Sequence, residues 1–246
     1  MNVIGVIPAR FQSVRLEGKP LALIGGRPMI QHVYERAAQS SLLTDLLVAT
    51  DDARIFDAVS GFGGKAVMTS PDHRSGTDRV AEATANIAAD VVVNIQGDEP
   101  FISPRVIDQL VAPFHGEAGV EMSTLMRPID NERDLQDPNV VKVVLKLNGN
   151  ALYFSRSPLP FFRNAVPGLP VLRHKGIYAY SRSFIERFVT WPPSPLERAE
   201  SLEQLRALEN GASIKVLLTN DASPGVDTPE QAREIERILS QQSSLP

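Results

Sequence analysis

Short, continuous apolar runs alternate with amphipathic stretches through the first part of the chain. Val3–Ile7, Leu46–Ala49 and Val91–Ile95 offer apolar side chains to both faces, the pattern of strands covered on two sides in a parallel sheet. Between them, Arg27-Pro28 opens a helix with proline in its first turn, and Ile30, Val33, Tyr34 and Ala37 form its inward stripe. An acid-capped helix is expected over Asp51–Val59, stopped by Gly61-Phe62-Gly63-Gly64, then a short strand at Ala66–Met68 and a helix over Thr77–Ala88. From about residue 118 to 180 the texture changes: Met122–Pro128, Val140–Leu147 and Ala151–Arg156 read as strands without long helices between them. Asn148-Gly149-Asn150 is the expected hairpin turn. Prolines at 158, 160, 167 and 170 mark a loop, and His174–Tyr180 returns as a strand. One long helix is expected over Pro195–Asn210, ended by Gly211. Its Leu196, Ala199, Leu202, Leu205 and Leu208 sweep about 240° at about 100° per residue, an arc that contains Glu203 and Arg206. Ile214–Leu218 and a helix after Thr228-Pro229 follow.

This order predicts an α/β protein with a mostly parallel, doubly wound sheet flanked by helices and a mixed-sheet subdomain inserted in its middle. The expected boundaries are 1–117 for the first part of a nucleotide-binding core, 118–190 for the insert and 191–246 for completion of the core.

Composition narrows the function classes. The chain has 246 residues, 43% apolar and 22% charged, with a net charge of −4, so no broad basic field points to nucleic acid or an anionic membrane surface. The absence of cysteine excludes disulfides and thiolate metal sites and fits a reducing cytosol. No basic leader and no run of membrane-spanning length is evident, so a cytoplasmic protein is expected.

The loop after the first strand, Pro8-Ala9-Arg10-Phe11-Gln12-Ser13-Val14-Arg15-Leu16-Glu17-Gly18-Lys19-Pro20, carries Arg10, Arg15 and Lys19 at the sheet edge where ligands of open α/β folds bind. Fixed cations suit a polyphosphate. The spacing matches neither a P-loop nor a dinucleotide fingerprint. Another buried strand ends in Gln96-Gly97-Asp98, setting a carboxylate beside that loop for a divalent cation such as Mg²⁺, with a helix-capping turn as the plainer reading. Asp227 precedes a proline-started helix; it or Thr228 could be the cap, and a second carboxylate returning to the sheet edge would complete a Mg²⁺ site. Ser75-Gly76-Thr77 enters a helix either as an ordinary capping turn or as a reader of base or ribose, and Arg79 can approach phosphate.

In the second half, Glu203 either pairs with Arg206 or, with Gln204, faces sugar hydroxyls. His174 and Tyr178 lie four apart, on one strand face; a lone histidine is commonly structural, and the cationic setting here favours an acidic sugar. Arg156 is a candidate clamp for a carboxylate.

Taken in order, these segments resemble the 3-deoxy-manno-octulosonate cytidylyltransferase (CMP-Kdo synthetase) family of sugar nucleotidyltransferases, which have a Rossmann-like core. The resemblance runs from Ile7-Pro8-Ala9-Arg10 through Val48–Asp51, Ser75–Arg79, Asn94–Pro100, Ala151–Arg156, His174–Tyr180 and Pro195–Glu209 to Gly225–Pro229. It implies Mg²⁺-dependent transfer of CMP from CTP to Kdo, with Arg10, Arg15 and Lys19 on the triphosphate and Asp98 and Asp227 on Mg²⁺. Pro8, Ala9, Ser75, Gly76, Arg79 and Gly97 would border the nucleotide, and Gln96, Arg156, His174, Tyr178, Glu203 and Gln204 the sugar. It further implies a cytoplasmic homodimer, joined through the middle subdomain, that feeds lipopolysaccharide assembly. Phe11-Gln12-Ser13-Val14 departs mildly from the usual phosphate loop, and the compact stretch around Phe161–Pro170 leaves 8-amino-Kdo or another sugar acid as an alternative. The expected chemistry is direct attack of the sugar's anomeric oxygen on the α-phosphorus, since no residue set demands a covalent intermediate. Arg15, Lys19, Asp98 and Asp227 are the catalytic candidates.

Overall fold

The computed structural model describes residues 1–12 and 17–221, together with 223, 225, 226, 228, 230, 231, 233 and 237. The chain divides into two compact units: Met1–Asp108 with the described residues of 222–246, and Gln109–Asp221.

In the first unit β1 (Val3–Ala9) leads through a small hairpin, β2 (Leu23–Ile24) and β3 (Arg27–Pro28), into α1 (Met29–Ala37) and β4 (Asp45–Thr50). Then follow α2 (Ala53–Gly61), β5 (Ala66–Met68), α3 (Gly76–Thr84) and β6 (Val91–Asn94). The strands lie in the order β6-β1-β4-β5, all parallel, with Ile4 to Ala9 in register with Asp45 to Thr50 and Val3 to Val6 with Val91 to Asn94. Val6, Ile7, Val48, Val92 and Val93 are fully buried, as strands covered on both faces require. Asp52 caps α2 by accepting from the Arg54 amide, as the acidic start of that helix suggests. The β2–β3 hairpin has no periodicity to announce it; Gly25 and Gly26, at φ of 56° and 78°, make its turn.

Helix α4 (Pro104–Gly116) runs past the division of the chain. The second unit holds β7 (Met122–Pro128), α5 (Glu132–Gln136), β8 (Lys142–Leu145), β9 (Ala151–Ser155) and β10 (Leu172–Ser181). It continues with α6 (Arg182–Phe188), α7 (Pro195–Glu200), α8 (Gln204–Glu209) and β11 (Ile214–Leu218). Its sheet is mixed: β11 pairs parallel to β7, while β7–β10, β10–β8 and β8–β9 are antiparallel. Gly149, at φ 82°, turns the expected hairpin between β8 and β9.

Two expectations change here. The units divide at 108/109 and 221/222 rather than at 117 and 190, because α7 is bonded to the end of β9 and β11 pairs with β7. The single helix over 195–210 is two short ones, broken where Ser201 takes a left-handed conformation (φ 52°, ψ 49°). Its leucines therefore do not share one face: Leu196 is 41% exposed while Leu202 and Leu205 are buried.

Arg206 holds the two short helices together. Its guanidinium is nearly buried, forks onto Glu197 (Nε to Oε2 2.8 Å, Nη2 to Oε1 2.5 Å) and lies 4.7 Å from the Phe188 ring centre. Phe188 belongs to an aromatic cluster with Tyr180, Phe184 and Trp191, ring centres 5.8 to 6.4 Å apart. Removing one partner of a buried pair leaves the other charge uncompensated. Arg206→Ala should therefore cost about 3 kcal/mol of stability, and Arg206→Lys, lacking the fork, should recover less than half. Denaturant midpoints test this; a loss below about 1 kcal/mol would contradict it.

Candidate active site

In the first unit the chain moves outward from β1 to β4 and β5, then returns to β6 on the other side of β1. This reversal leaves a crevice beyond the carboxyl ends of β1 and β6. The crevice is a pocket of about 160 Å³, lined by Pro8, Ala9, Arg10, Gln12, Lys19, Pro20, Gln96, Gly97 and Asp98. Gly97 has a steric reason to be glycine, because a Cβ there would stand 3.2 Å from the Pro8 carbonyl oxygen.

Lys19 begins a 3₁₀ turn entered through Gly18, whose φ is 66° and whose amide donates to the Phe11 carbonyl at 2.9 Å, closing the base of the cation loop. The Lys19 ammonium stands 2.7 Å from Asp98 Oδ2. Asp98 is held on its other side by the backbone: the Val226 amide donates to the Asp98 carbonyl at 2.8 Å. Asp227 itself, like Arg15, lies outside the described residues. Thr228 fills the capping role, its Oγ1 accepting from the Gln231 amide at 3.3 Å while its own amide donates to Gln231 Oε1 at 3.1 Å.

Arg10 donates from Nη2 to the carbonyls of His73 and Ser75, tying the 73–75 loop to the crevice. Ser75 is a capping-box residue: Oγ accepts from the Asp78 amide and Asp78 Oδ2 accepts from the Ser75 amide, each at 3.1 Å. Gly76 sits against Pro8, 3.4 Å from a Cβ built at Gly76 to the proline ring. Arg79, expected near phosphate, is fully buried, paired with Asp51 at 2.6 Å and bonded to the Thr69 hydroxyl. The cation this loop holds at the crevice is Arg10. Phe11 is a further residue of the loop: the Arg54 guanidinium stacks 3.3 Å from its ring centre, anchoring the loop base on α2. No sequence signal marks that pair.

In the second unit, Arg156 follows β9 and donates Nε to the Glu200 carbonyl (2.6 Å), Nη1 to Pro138 (2.8 Å) and Nη2 to Ser201 (3.3 Å). Its amide and the Ser155 hydroxyl both donate to the Glu200 carboxylate, at 2.9 and 2.6 Å. Three of five guanidinium donors are thus spent on carbonyls, two of them at the carbonyl end of α7, a favourable place for a cation. Gln204 is buried, and its Nε2 has no hydrogen-bond partner among the described residues. Glu203 lies 3.4 Å from the Arg206 guanidinium, a looser contact than Glu197 makes.

His174 and Tyr178 share a face, as their spacing predicts, but the strand between them is not straight. On a regular strand residues four apart are about 13 Å apart. Here β10 carries a bulge: His174 opposes Met126 and Tyr178 opposes Thr124, so two extra residues bow out without changing the face. The ring centres come to 5.5 Å, with Phe154 edge-on to His174 at 4.9 Å. Thr124 Oγ1 fills the bulge, within 2.9 Å of His174 Nε2, 2.8 Å of the Ile177 carbonyl and 3.2 Å of the Lys175 carbonyl. Burial lowers the His174 imidazole to about 3, keeping it neutral. Burial also raises the Tyr178 phenol well above the ordinary tyrosine value, and the neighbouring Tyr180 and Glu203 add to this.

A family model described as cytidylyltransferase matches residues 4–214. The 3-deoxy-manno-octulosonate cytidylyltransferase of Geobacter sulfurreducens is 51% identical over 97% of this chain and 98% of its own length. That of Pelobacter propionicus is 52% identical, over 97% of this chain and 99% of its own. Among solved structures, a CMP:2-keto-3-deoxy-manno-octonic acid synthetase complexed with CTP superposes with a TM-score of 0.94 at 45% identity, covering 98% of this chain and all of that one. A 4-diphosphocytidyl-2C-methyl-D-erythritol synthase from Anaerococcus prevotii shares the fold at a TM-score of 0.63 and 12% identity, with 97% of this chain and 96% of that one covered.

His174, half-buried with its ring against Phe154, Tyr178 and Thr124, makes stability depend on pH with a definite sign. Its folded value, about 3, lies below the ordinary 6.5, so between these values the unfolded chain binds a proton that the folded chain does not. Stability therefore falls as pH drops from 6.5 toward 3. His174→Asn should flatten the unfolding midpoint against pH over that window; parallel profiles for parent and variant would contradict the assignment.

Proposed function

The chain belongs to the 3-deoxy-manno-octulosonate cytidylyltransferase family, and we propose that it transfers CMP from CTP to the anomeric hydroxyl of Kdo, releasing pyrophosphate. The observation that carries this reading is the crevice at the β1/β6 reversal, where Lys19 and Asp98 stand 2.7 Å apart beside Arg10. The anomeric oxygen attacks the α-phosphorus, its new bond replacing the bond to the bridging oxygen. The hydroxyl proton goes to solvent, and pyrophosphate leaves with the bridging oxygen. The side chains contribute position and charge rather than covalent chemistry.

Arg10, Arg15 and Lys19 hold the triphosphate. Pro8, Ala9, Gly97 and the Ser75-Gly76 turn border the nucleotide, and Arg79 braces that turn from beneath through Asp51. Asp98 and Asp227 are the proposed Mg²⁺ ligands. Support comes from the carboxylate chemistry of Asp98, from the Val226 amide on the Asp98 carbonyl, and from Thr228 supplying the helix cap in place of Asp227. Bound there, Mg²⁺ would neutralise charge on the triphosphate as the leaving group departs. Lys19, already beside Asp98, supplies a further cation to the departing pyrophosphate.

For the sugar, Gln96 lines the crevice, and Arg156, His174, Tyr178, Glu203 and Gln204 form the set in the second unit. The buried, unmatched Nε2 of Gln204 supports a polar ligand, since such donors rarely stay unsatisfied. Arg156 keeps two donors for a carboxylate. A homodimer joined through the second unit is supported by Leu147, Leu152 and Phe161, all exposed there. A cytoplasmic role in lipopolysaccharide assembly completes the proposal; no described helix is long and apolar enough to cross a membrane.

The test is pyrophosphate release from CTP, UTP and GTP against Kdo, 8-amino-Kdo and sialic acid. CTP with Kdo should be the best pair, and a better pair elsewhere on the panel would overturn the assignment. Asp98→Asn should lower kcat by at least about 100-fold, the scale of losing a catalytic metal or its charge; activity within about twofold of the parent would refute its role.

A further inference from the structure

The bulge in β10 sets three groups around the single proton that Thr124 has to give. Its hydroxyl carries one hydrogen and faces three groups at bonding distance: the Ile177 carbonyl at 2.8 Å, the Lys175 carbonyl at 3.2 Å and His174 Nε2 at 2.9 Å. Both carbonyl oxygens can only accept. Were the hydroxyl to donate to the imidazole, its lone pairs would be turned on the Ile177 and Lys175 carbonyl oxygens, and the one hydrogen bond it can give them would be lost, at roughly 1–3 kcal/mol. With the proton given to the Ile177 side, the oxygen has a lone pair for the imidazole, and the ring must be the donor. Thr124 is fully buried, so water does not compete for these lone pairs.

We infer that Thr124 is a positioning residue that fixes His174 as the Nε2–H tautomer, leaving Nδ1 as a hydrogen-bond acceptor for a hydroxyl of the sugar. No hydrogen bond occupies Nδ1 among the described residues. The direction of that bond decides what the histidine recognises. A neutral ring presenting a lone pair attracts an O–H and repels a carboxylate, so His174 reads a hydroxyl and leaves the sugar's carboxylate to Arg156. Tyr178, its phenol kept protonated, lies beside the same imidazole, with ring centres 5.5 Å apart. The second half of the inference, the identity of the ligand, rests on the sugar-acid reading above; the tautomer does not.

The experiment is ¹⁵N-histidine labelling of the full chain and long-range ¹H–¹⁵N correlation at about pH 7, where the protonated and bare nitrogens of a neutral ring resonate far apart. The His174 signals, among those of four histidines, are the ones lost in His174→Asn. Protonated Nε2 with bare Nδ1 is expected; the opposite tautomer or an even mixture would overturn the inference, whatever the substrate proves to be. Thr124→Ser should keep the tautomer and the KM for Kdo within about twofold. Thr124→Val should populate both tautomers and raise the KM for Kdo about tenfold, the scale of one hydrogen bond, with the KM for CTP unchanged. An unaltered tautomer in Thr124→Val would remove the role of Thr124. If the parent shows the expected tautomer but no turnover with Kdo, the substrate reading fails while the positioning role stands.

Discussion

Two strand ends meeting at bonding distance is the constraint on which the crevice depends. The β1 and β6 termini approach so closely at Pro8 and Gly97 that a single added carbon would crowd the Pro8 carbonyl. That approach delivers Asp98 to the mouth of the cation loop, where an otherwise mobile lysine finds a carboxylate. The ammonium then serves two ends. It neutralises Asp98 when nothing else does, and it is already in place to meet an anionic ligand. A pair built this way costs little to open, because both members keep some exposure and neither would be left buried and alone if the proposed triphosphate entered. The Arg79–Asp51 pair behaves oppositely: the Arg79 side chain is fully buried and bonded to both Asp51 and Thr69, so it has no freedom to follow a ligand.

The second unit meets its own requirement by irregularity rather than by close packing. A straight β10 would hold the His174 and Tyr178 rings too far apart to act together. Two extra residues between them shorten the gap while preserving the face, and the cost is carbonyls removed from the regular ladder. Thr124 answers that cost with a hydroxyl, and the same oxygen becomes the neighbour of the imidazole. Ser201 is a parallel case. Its left-handed backbone is strained for a residue with a Cβ, yet it turns the chain so that Gln204 is buried and Arg156 can grip the carbonyls of 200 and 201.

These irregularities mark the limit of what the sequence discloses. Continuous apolar runs announced β1, β4 and β6, and the position of the cation loop and of Gln96-Gly97-Asp98 followed from where such strands must end. Seven of the nine residues lining the crevice, all but Gln12 and Pro20, stand among the expected site residues: Arg10, Lys19, Gly97 and Asp98 from the strand ends, and Pro8, Ala9 and Gln96 through the family resemblance. The shared face of His174 and Tyr178 was legible for the same reason, since alternation survives an even insertion. The break at Ser201 was not, because no glycine or proline announces it and the leucine spacing on either side continues as though the helix were intact. Thr124 was hidden more deeply. A threonine in the middle of an apolar strand reads as an ordinary β-former, and only its partners across the sheet, fifty or more positions later, give its oxygen a purpose.

The division of labour between regular and irregular segments has a chemical logic. Charge on a polyphosphate is spread over many oxygens, so a loop of cations at a sheet edge recognises it without fine geometry, and periodic sequence suffices to build that edge. A sugar acid presents neutral hydroxyls and one carboxylate on a compact ring, and telling these apart requires each donor and acceptor to have a fixed sense. Fixed sense comes from buried partners whose own protons are already committed, as Thr124 commits His174 and as the carbonyls around Arg156 commit three of its five donors. Residues of that kind act through neighbours remote in the chain, and for that reason the sugar recognition proposed for the second unit rests on its departures from regular structure.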